Sequence, residues 1–225
     1  MAINKEKYKG ITDEIAGKAT LVAVSKTKPV EDIQALYDLG QRHFGENYVQ
    51  ELVDKQLQLP ATIHWHFIGH LQSNKVKQIA PFVYLIHGVD SFKLLKEINK
   101  QALKANRIID VLLQVYIAKE ETKFGLDEKE LDEIFNADKN ELAALKNISI
   151  NGLMGMASFT NDTAIIKNEF QHLKFLFDKY AGLHRPNSQF SFLSMGMSSD
   201  YPIAIANGSN MVRIGSLLFG ERTKN

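Results

Sequence analysis

The sequence predicts a closed (β/α)8 barrel formed by a single domain, residues 1–225. Short apolar runs alternate with longer amphipathic segments along the whole chain, which is typical of parallel strands joined by crossover helices. The length of 225 residues suits eight such units, since barrels of this kind run from about 200 to 250 residues. The turn at 25–29 contains no glycine, whereas an open dinucleotide-binding sheet has a glycine-rich turn after its first strand. The barrel is therefore favoured over the doubly wound sheet.

The first strand is the clearest. Residues 21–24 form an apolar run that ends at a lysine and, three residues later, a proline, the pattern of a buried strand delivering a polar side chain to its end. The other candidates are similar short runs bounded by polar or turn residues. The predicted strands cover 20–25, 42–45, 63–68, 82–87, 109–116, 148–156, 190–195 and 211–214.

Helices are predicted where apolar residues recur with a period of 3.6. The predicted helices cover 30–40, 46–58, 73–80, 91–105, 127–136, 163–181 and 199–207. In the fourth of these, Ser91 is the expected N-cap. Its buried stripe is predicted to contain Phe92, Leu94, Leu95, Ile98, Ala102 and Leu103.

Composition excludes several classes of protein. The chain is 44% hydrophobic and has a net charge of +1, which argues against a nucleic-acid-binding or membrane-binding surface. It contains no cysteine, so disulfides and thiolate metal sites are ruled out. No leader and no apolar run of about 18 residues is visible. We therefore expect a cytoplasmic protein, and nothing in the sequence requires more than a monomer.

Lys26 is the leading candidate for chemistry, because functional groups of a barrel project from the C-terminal ends of its strands. A lysine there is either solvated at the rim or held partly dry as a nucleophile that forms Schiff bases with carbonyl groups. The second role requires a site that lowers its pKa. Lys28, Lys75 and Lys123 are the alternative amines.

A phosphate site is predicted at the ends of the last two strands, where barrels frequently bind phosphate. Its residues are Ser194, Gly196 and Ser198 after the seventh strand, and Gly215 and Ser216 after the eighth. Glycines allow close backbone approach, serines donate hydroxyls and a helix start favours an anion. The alternative is that these are ordinary turn and capping residues. Asp200 would oppose phosphate if its side chain pointed inward.

Further residues are expected near a ligand. Asn47 follows the second strand, Met154 and Met156 of the sixth strand lie where a planar ligand could approach the backbone, and Met197 lies in the loop after the seventh strand. Arg213 interrupts the otherwise apolar eighth strand. It either pairs with a buried carboxylate or faces an acceptor atom of a ligand.

The histidines allow a competing hypothesis. His64 and His66 point to the same side of the third strand, with His43 and His87 on the neighbouring strands and His87 at the end of the fourth. A mononuclear zinc hydrolase would use such residues. No carboxylate lies at an obvious strand end beside them, so core histidines are favoured and no metal site is expected.

With these residues assembled, the chain resembles the pyridoxal phosphate homeostasis proteins, a single-domain family related to the N-terminal barrel of alanine racemase. The matching motifs are LVAVSKTKP at 21–29, FGENYVQE at 44–51, WHFIGHLQSNK at 65–75, GLMGM at 152–156, LSMGMS at 193–198 and MVRIG at 211–215. Two departures are visible: the segment before the first strand looks short, and Ser216 replaces a commoner threonine.

The resemblance implies that the cofactor is pyridoxal 5′-phosphate (PLP), held as a Schiff base on Lys26. It implies that Arg213 lies near the pyridine nitrogen and that Asn47 and His66 line the pocket. By the same resemblance the phosphate is surrounded by Ser194, Ser198, Gly215 and Ser216.

The expected function is buffering and delivery of PLP with little or no catalysis, apo PLP-dependent enzymes being the candidate recipients. Arginine cannot readily give a proton to the ring nitrogen, which leaves the ring a poor electron sink. Few residues follow Arg213, so no second domain is expected to supply an opposing base. The internal substitutes are Tyr48, Tyr84, Tyr116 and Tyr201. The alternative is a PLP-dependent amino-acid racemase.

Overall fold

A computed structural model describes residues 3–118, 124–136, 139–183 and 185–220. The strands pair in parallel and in chain order, and β8 returns to β1 to close the barrel. Their bounds are β1 Thr20–Val24, β2 His43–Glu46, β3 His64–Phe67, β4 Leu85–Val89, β5 Ile109–Val115, β6 Ile148–Gly155, β7 Ser188–Ser194 and β8 Met211–Ile214. The predicted (β/α)8 fold is confirmed, and the open sheet is excluded.

The helices cover the outside of the barrel, and all but the first and the last lie between successive strands. Their bounds are α1 Lys5–Ile15, α2 Val30–Asp38, α3 Val49–Gln56, α4 Val76–Ile79, α5 Phe92–Lys104, α6 Glu128–Asn136, α7 Lys139–Ala143, α8 Thr163–Ala181, α9 Tyr201–Ala206 and α10 Ser216–Phe219, with a 3₁₀ turn at Ser73–Lys75 before α4. No helix in the described part of the chain is long and apolar enough to cross a membrane.

Helix α1 is absent from the sequence prediction because it is rich in charged residues. Its N-cap is Asn4, whose Oδ1 accepts a hydrogen bond from the Lys7 backbone N–H at 2.9 Å. Tyr8, Ile11 and Ile15 recur on one face and are buried. The Asn4 N–H donates to the Leu218 carbonyl at 2.8 Å. The short N-terminal segment thus packs against α10.

Two local predictions are wrong. Strand β4 begins at Leu85, not at 82, because the N–H groups of Phe82 and Val83 bond back to the Ile79 carbonyl and close the turn after α4. The strand ends at Val89, so His87 lies inside it and not at its end. In α5, Ser91 is the N-cap as predicted, but Leu103 is 63% exposed, since five residues beyond Ile98 is about 140° round a helix.

Side chains of the strands alternate between the helices and the barrel interior. Outward-facing residues such as Ala23, Phe44 and Ile86 join the core shared with the helices. A separate apolar layer fills part of the interior and consists of Val22, Leu85, Leu112, Met154 and Met211. The rest of the interior is polar, with buried histidine, serine and arginine side chains.

Candidate functional site

A cavity of about 470 Å³ opens at the C-terminal ends of β1, β2 and β8. It brings the lysine after β1 together with the loops that follow β7 and β8. Its lining residues are Val24, Lys26, Lys28, Asn47, Ile68, Met156, Phe159, Met197, Ser198, Ser199, Arg213, Gly215, Ser216 and Gly220.

Lys26 is presented by a tight turn. The Lys28 N–H donates to the Ser25 carbonyl at 3.0 Å, so Lys26 and Thr27 are the central residues of a β-turn. Thr27 has φ +63°, a left-handed conformation that is uncommon for a β-branched residue. Its N–H donates to Glu51 Oε1 at 2.6 Å. The strained turn is therefore fixed from outside by α3.

A buried ion pair supports the same turn. Glu46 Oε1 accepts from the Ser25 hydroxyl at 2.6 Å and from Lys55 Nζ at 2.8 Å. Lys55 Nζ also donates to the Ser25 carbonyl at 2.7 Å and to Glu51 Oε1 at 2.6 Å. Burial raises the pKa of Glu46, and Lys55 partly opposes this. The network ties the first residue of the turn to β2 and α3.

One wall of the cavity is formed by two loops that are bonded to each other. The Gly215 N–H donates to Ser198 Oγ at 3.3 Å, and Gly215 is the N-cap of α10, so Ser216 lies at a helix start. Asp200 Oδ1 accepts from the Met197 N–H at 2.6 Å. The side chain of Asp200 thus holds the loop itself, and it is not among the residues that line this cavity.

Arg213 is almost fully buried and bonds to oxygens of the barrel. Nη1 donates to the Ser194 carbonyl at 2.8 Å and to Ser194 Oγ at 2.7 Å, and Nη2 donates to the Gly155 carbonyl at 3.0 Å. None of these partners is a carboxylate. Burial lowers the pKa of Arg213 to about 10, and Asp200 opposes the shift. The guanidinium is therefore a cation at pH 7.

The interior histidines bond to one another. His66 Nδ1 lies 2.8 Å from His87 Nε2, and His66 Nε2 lies 2.9 Å from His43 Nδ1. Burial lowers the pKa of His66 and His87 far below its ordinary value. Across the described ranges, no group of three or more histidine and carboxylate side chains is arranged to hold a metal ion. The zinc hypothesis has no support in this geometry.

Most of the predicted site residues line the one cavity, and four do not. The predicted residues that line it are Lys26, Asn47, Met197, Ser198, Arg213, Gly215 and Ser216. Those outside it are His66, Met154, Ser194 and Gly196.

Each of the four lies outside for a physical reason. His66 and Ser194 are fully buried one layer below the cavity, with their polar atoms bonded to other side chains. Met154 belongs to the interior apolar layer. Gly196 has φ +95°, and a Cβ there would lie 2.6 Å from the Cβ of Ala204, so it is a turn residue.

Sequence reasoning missed Phe159 and gave Met156 and Lys28 a minor place. Met156 lies two residues beyond Met154 and just after the end of β6, so the alternation of the strand predicts it nearer the opening. Lys28 Nζ donates to the Phe219 carbonyl at 2.9 Å. Phe159 carries no pattern that indicates a site.

Of the alternative amines, Lys28 lines the cavity. Lys75 is exposed in the 3₁₀ turn, and Lys123 lies outside the described residues. Tyr84 stacks on His64 with ring centroids 4.3 Å apart. The Tyr201 hydroxyl donates to Glu14 Oε2 at 2.7 Å, and burial raises its pKa to about 12. Neither these two tyrosines nor Tyr48 and Tyr116 are among the residues described as lining the cavity.

The chain is similar to known proteins over nearly its whole length. The family model described as alanine racemase, N-terminal domain, matches residues 4–223. A pyridoxal phosphate homeostasis protein of Aquifex aeolicus is 40% identical over 205 residues, which is 91% of this chain and 87% of that protein. A protein of the same name from Escherichia coli K12 is 40% identical over 207 residues, 90% of this chain and 86% of that protein.

Solved structures give the same picture. PipY of Synechococcus elongatus with PLP bound superposes with a TM-score of 0.86 at 34% identity, covering 96% of this chain and 99% of that one. Alanine racemase from Bartonella henselae, at 16% identity and a TM-score of 0.72, covers 97% of this chain and 60% of that one, a likeness that shows the fold alone. On its sequence and its fold, this chain belongs to the pyridoxal phosphate homeostasis protein family.

Proposed function

We propose that this protein binds pyridoxal 5′-phosphate in the cavity at the C-terminal end of the barrel and acts as a carrier in PLP homeostasis. The observation that carries the proposal is the meeting of Lys26 with Ser198, Gly215 and Ser216 on one cavity of about 470 Å³. A volume of this size lies within the usual range for small-molecule sites. The relatives that are named for PLP, and PipY with PLP bound, support the same ligand.

The residues present fit the chemistry of this cofactor. Lys26 offers an amine for an aldehyde, and the serine hydroxyls and backbone N–H groups of the two loops suit a phosphate. Asn47 Oδ1 is buried and lacks a hydrogen-bond partner in the described structure, although its residue lines the cavity. A buried acceptor left unpaired is costly, which supports a ligand that donates to it.

Each residue has a distinct proposed task. The cofactor supplies an electrophilic aldehyde carbon. Lys26 would bond to that carbon through its amine, with loss of one water. The guanidinium of Arg213 would lie beside the ring nitrogen as a hydrogen-bond donor, and it would stay charged because arginine does not release its proton at neutral pH. Met156 and Ile68 would cover the ring.

The charges around the cavity favour binding and delivery of PLP over catalysis. Its titratable lining groups in the described residues are Lys26, Lys28 and Arg213. A racemase needs a second base on the opposite face of the substrate. Lys28 is already bonded to the carbonyls of Phe219 and Gly220, which holds it as a hydrogen-bond donor.

We further propose that the carrier is one barrel domain acting as a cytoplasmic monomer that hands PLP to apo-enzymes. Tyr48 and Phe159 are 59% and 95% exposed, and they lie in the loops that contribute Asn47 and Met156 to the cavity wall. Exposed aromatic side chains at the mouth of a site are suited to contact a recipient protein.

The test is the visible absorbance of the PLP-loaded protein before and after borohydride reduction, followed by peptide mapping. Reduction should fix the cofactor to the peptide that contains Lys26. Lys26→Ala should abolish this adduct and retain weak phosphate-anchored binding, whereas Lys75→Ala, a change at an exposed lysine, should leave the adduct intact.

A covalent adduct that persists in the Lys26→Ala variant would refute the assignment of the lysine. Incubation with an L-amino acid tests the carrier role, since formation of the D-isomer faster than about 1 s⁻¹, the low end of ordinary enzymes, would establish a racemase instead.

A further inference from the structure

A continuous chain of hydrogen bonds crosses the barrel interior and ends at Arg213. We call it the histidine chain. In order, its members are His64, His43, His66, His87, Ser194 and Arg213. Its members come from β2, β3, β4, β7 and β8, so only closure of the barrel brings them together.

Arg213 sets the direction of the chain, because a guanidinium can only donate. Its Nη1 donates to Ser194 Oγ at 2.7 Å. The hydroxyl hydrogen of Ser194 then needs an acceptor, since the residue is fully buried. Among the hydrogen bonds of the described residues, that acceptor is His87 Nδ1 at 3.1 Å. The proton of His87 must therefore be on Nε2.

The tautomer of His87 determines the tautomers of the next two rings. His87 Nε2–H donates to His66 Nδ1 at 2.8 Å, and His66 Nε2–H donates to His43 Nδ1 at 2.9 Å. His43 Nε2–H then points to His64 Nδ1 at the longer distance of 3.4 Å. With the opposite tautomers, the buried Ser194 hydroxyl hydrogen would have no acceptor among the described hydrogen bonds, which is unfavourable for a buried donor. The Nε2–H tautomer satisfies every bond at once.

We propose that the histidine chain orients Arg213, with Ser194 and His87 as positioning residues for the ring end of the cofactor. The inference rests on the proposed function, in which Arg213 faces the ring nitrogen. In the Nε2–H arrangement the His87 Nδ1 lone pair faces the Ser194 hydroxyl hydrogen, and a lone pair of Ser194 Oγ faces the guanidinium. The dipoles of the chain are thus aligned to stabilise a buried cation whose described bonds are not to a carboxylate.

The electrostatics of the interior agree with a neutral chain. Burial and the charge of Arg213 lower the pKa of His87 far below its ordinary value. Neutral rings have one donor and one acceptor each, which is what an ordered chain requires. A set of histidines that merely filled the interior would need no common tautomer.

The first experiment determines the tautomers in the cofactor-free protein at pH 7 by long-range proton–nitrogen correlation NMR of the histidine rings. We expect His43, His66 and His87 to be protonated on Nε2. Protonation of His87 on Nδ1 would overturn the proposed direction. This readout does not depend on PLP, so it stands apart from the proposed function.

The second experiment compares two buried serines. Ser194→Ala removes the link between Arg213 and His87, whereas Ser209→Ala removes a hydroxyl whose bonds, within the described part of the chain, are to the backbone carbonyls of Leu193, Met195 and Met211. We expect Ser194→Ala to disturb the tautomer of His87, to shift the absorbance of bound PLP and to weaken its binding about tenfold, the effect of one lost bond to a charged group. Ser209→Ala should leave all three unchanged.

A second pair of variants keeps the test independent of the folding of Ser194→Ala. His87→Gln retains a donor and an acceptor and should preserve the PLP absorbance, and His87→Leu should shift it in the same direction as Ser194→Ala. If Ser194→Ala or His87→Leu folds and binds PLP with the affinity and spectrum of the unaltered protein, the positioning role is refuted. If the unaltered protein itself fails to bind PLP, the proposed function fails, while the tautomer measurement still decides whether the chain is ordered.

Discussion

Loss of the Lys55 amine should destabilise the protein strongly. The Lys55 and Glu46 side chains are 6% and 0% exposed, with Nζ and Oε1 2.8 Å apart. Lys55→Met keeps the length of the stem and removes the charge. It leaves the Glu46 carboxylate buried without its cation, and removal of one partner of a buried pair costs about 3–5 kcal/mol. We expect a decrease of this size in the free energy of unfolding.

Urea unfolding measures the effect, with fluorescence of the single tryptophan, Trp65, as the probe. Trp65 is buried on β3, next to β2. The matched control is Lys9→Met, because Lys9 and Asp13 form an ion pair at 2.6 Å whose side chains are 76% and 66% exposed. Exposed pairs contribute about 0–1 kcal/mol. The two variants thus remove similar ion pairs that differ in burial.

The double variant Lys55→Met, Glu46→Gln separates charge from packing. Without the carboxylate no unpaired charge remains, so the double variant should be more stable than Lys55→Met alone. Because the Lys55 amine also bonds the Ser25 carbonyl, both variants should bind PLP more weakly. If the free energy of unfolding of Lys55→Met lies within about 1 kcal/mol of that of the unaltered protein, the buried pair does not contribute the expected stability. The pair would then not support the turn.

Two further predictions concern pH and a glycine. Burial lowers the folded-state pKa of His66 and His87 far below 6.5 and that of His43 to about 4, so the unfolded chain binds more protons at acid pH. Stability should therefore fall as pH decreases from 6.5 towards 4, by up to about 1.4 kcal/mol per pH unit for each fully buried histidine. The raised pKa of Glu46 acts in the opposite sense. A midpoint of urea unfolding that stayed constant from pH 7 to 5 would contradict this prediction. Gly196→Ala should destabilise by more than about 1 kcal/mol, because φ is +95° and the new Cβ would lie 2.6 Å from Ala204. Gly10→Ala, in the exposed middle of α1 with nothing within 4 Å, should instead stabilise by about 0.5–1 kcal/mol in thermal unfolding.

The predictions that succeeded depended on local patterns. The apolar run before Lys26 predicted both the strand and the placement of the amine at its C-terminal end. The serines and glycines after β7 and β8 predicted loops that share a cavity wall. Met154 and Met156 show the limit of such patterns, since alternation puts both on the interior face and does not say at which residue the packed layer ends and the cavity begins.

Contacts between residues that are distant in the sequence could not be predicted from it. Ser25, Glu46 and Lys55 are widely spaced in the sequence, and each is an ordinary residue for a strand end or a helix. His87 and Ser194 are 107 positions apart, and no local pattern relates them. Their bonding depends on register and on closure of the sheet.

The amino-acid sequence alone determined the order of the eight strands, because periodicity is a local property, and its resemblance to a known family supplied the type of ligand and the candidate lysine. The tertiary structure decided which polar side chains reach the cavity and which are sealed beneath it. That division depends on the level of each residue along the barrel axis and on its partners across the interior, and these distances exist only once β8 has paired with β1.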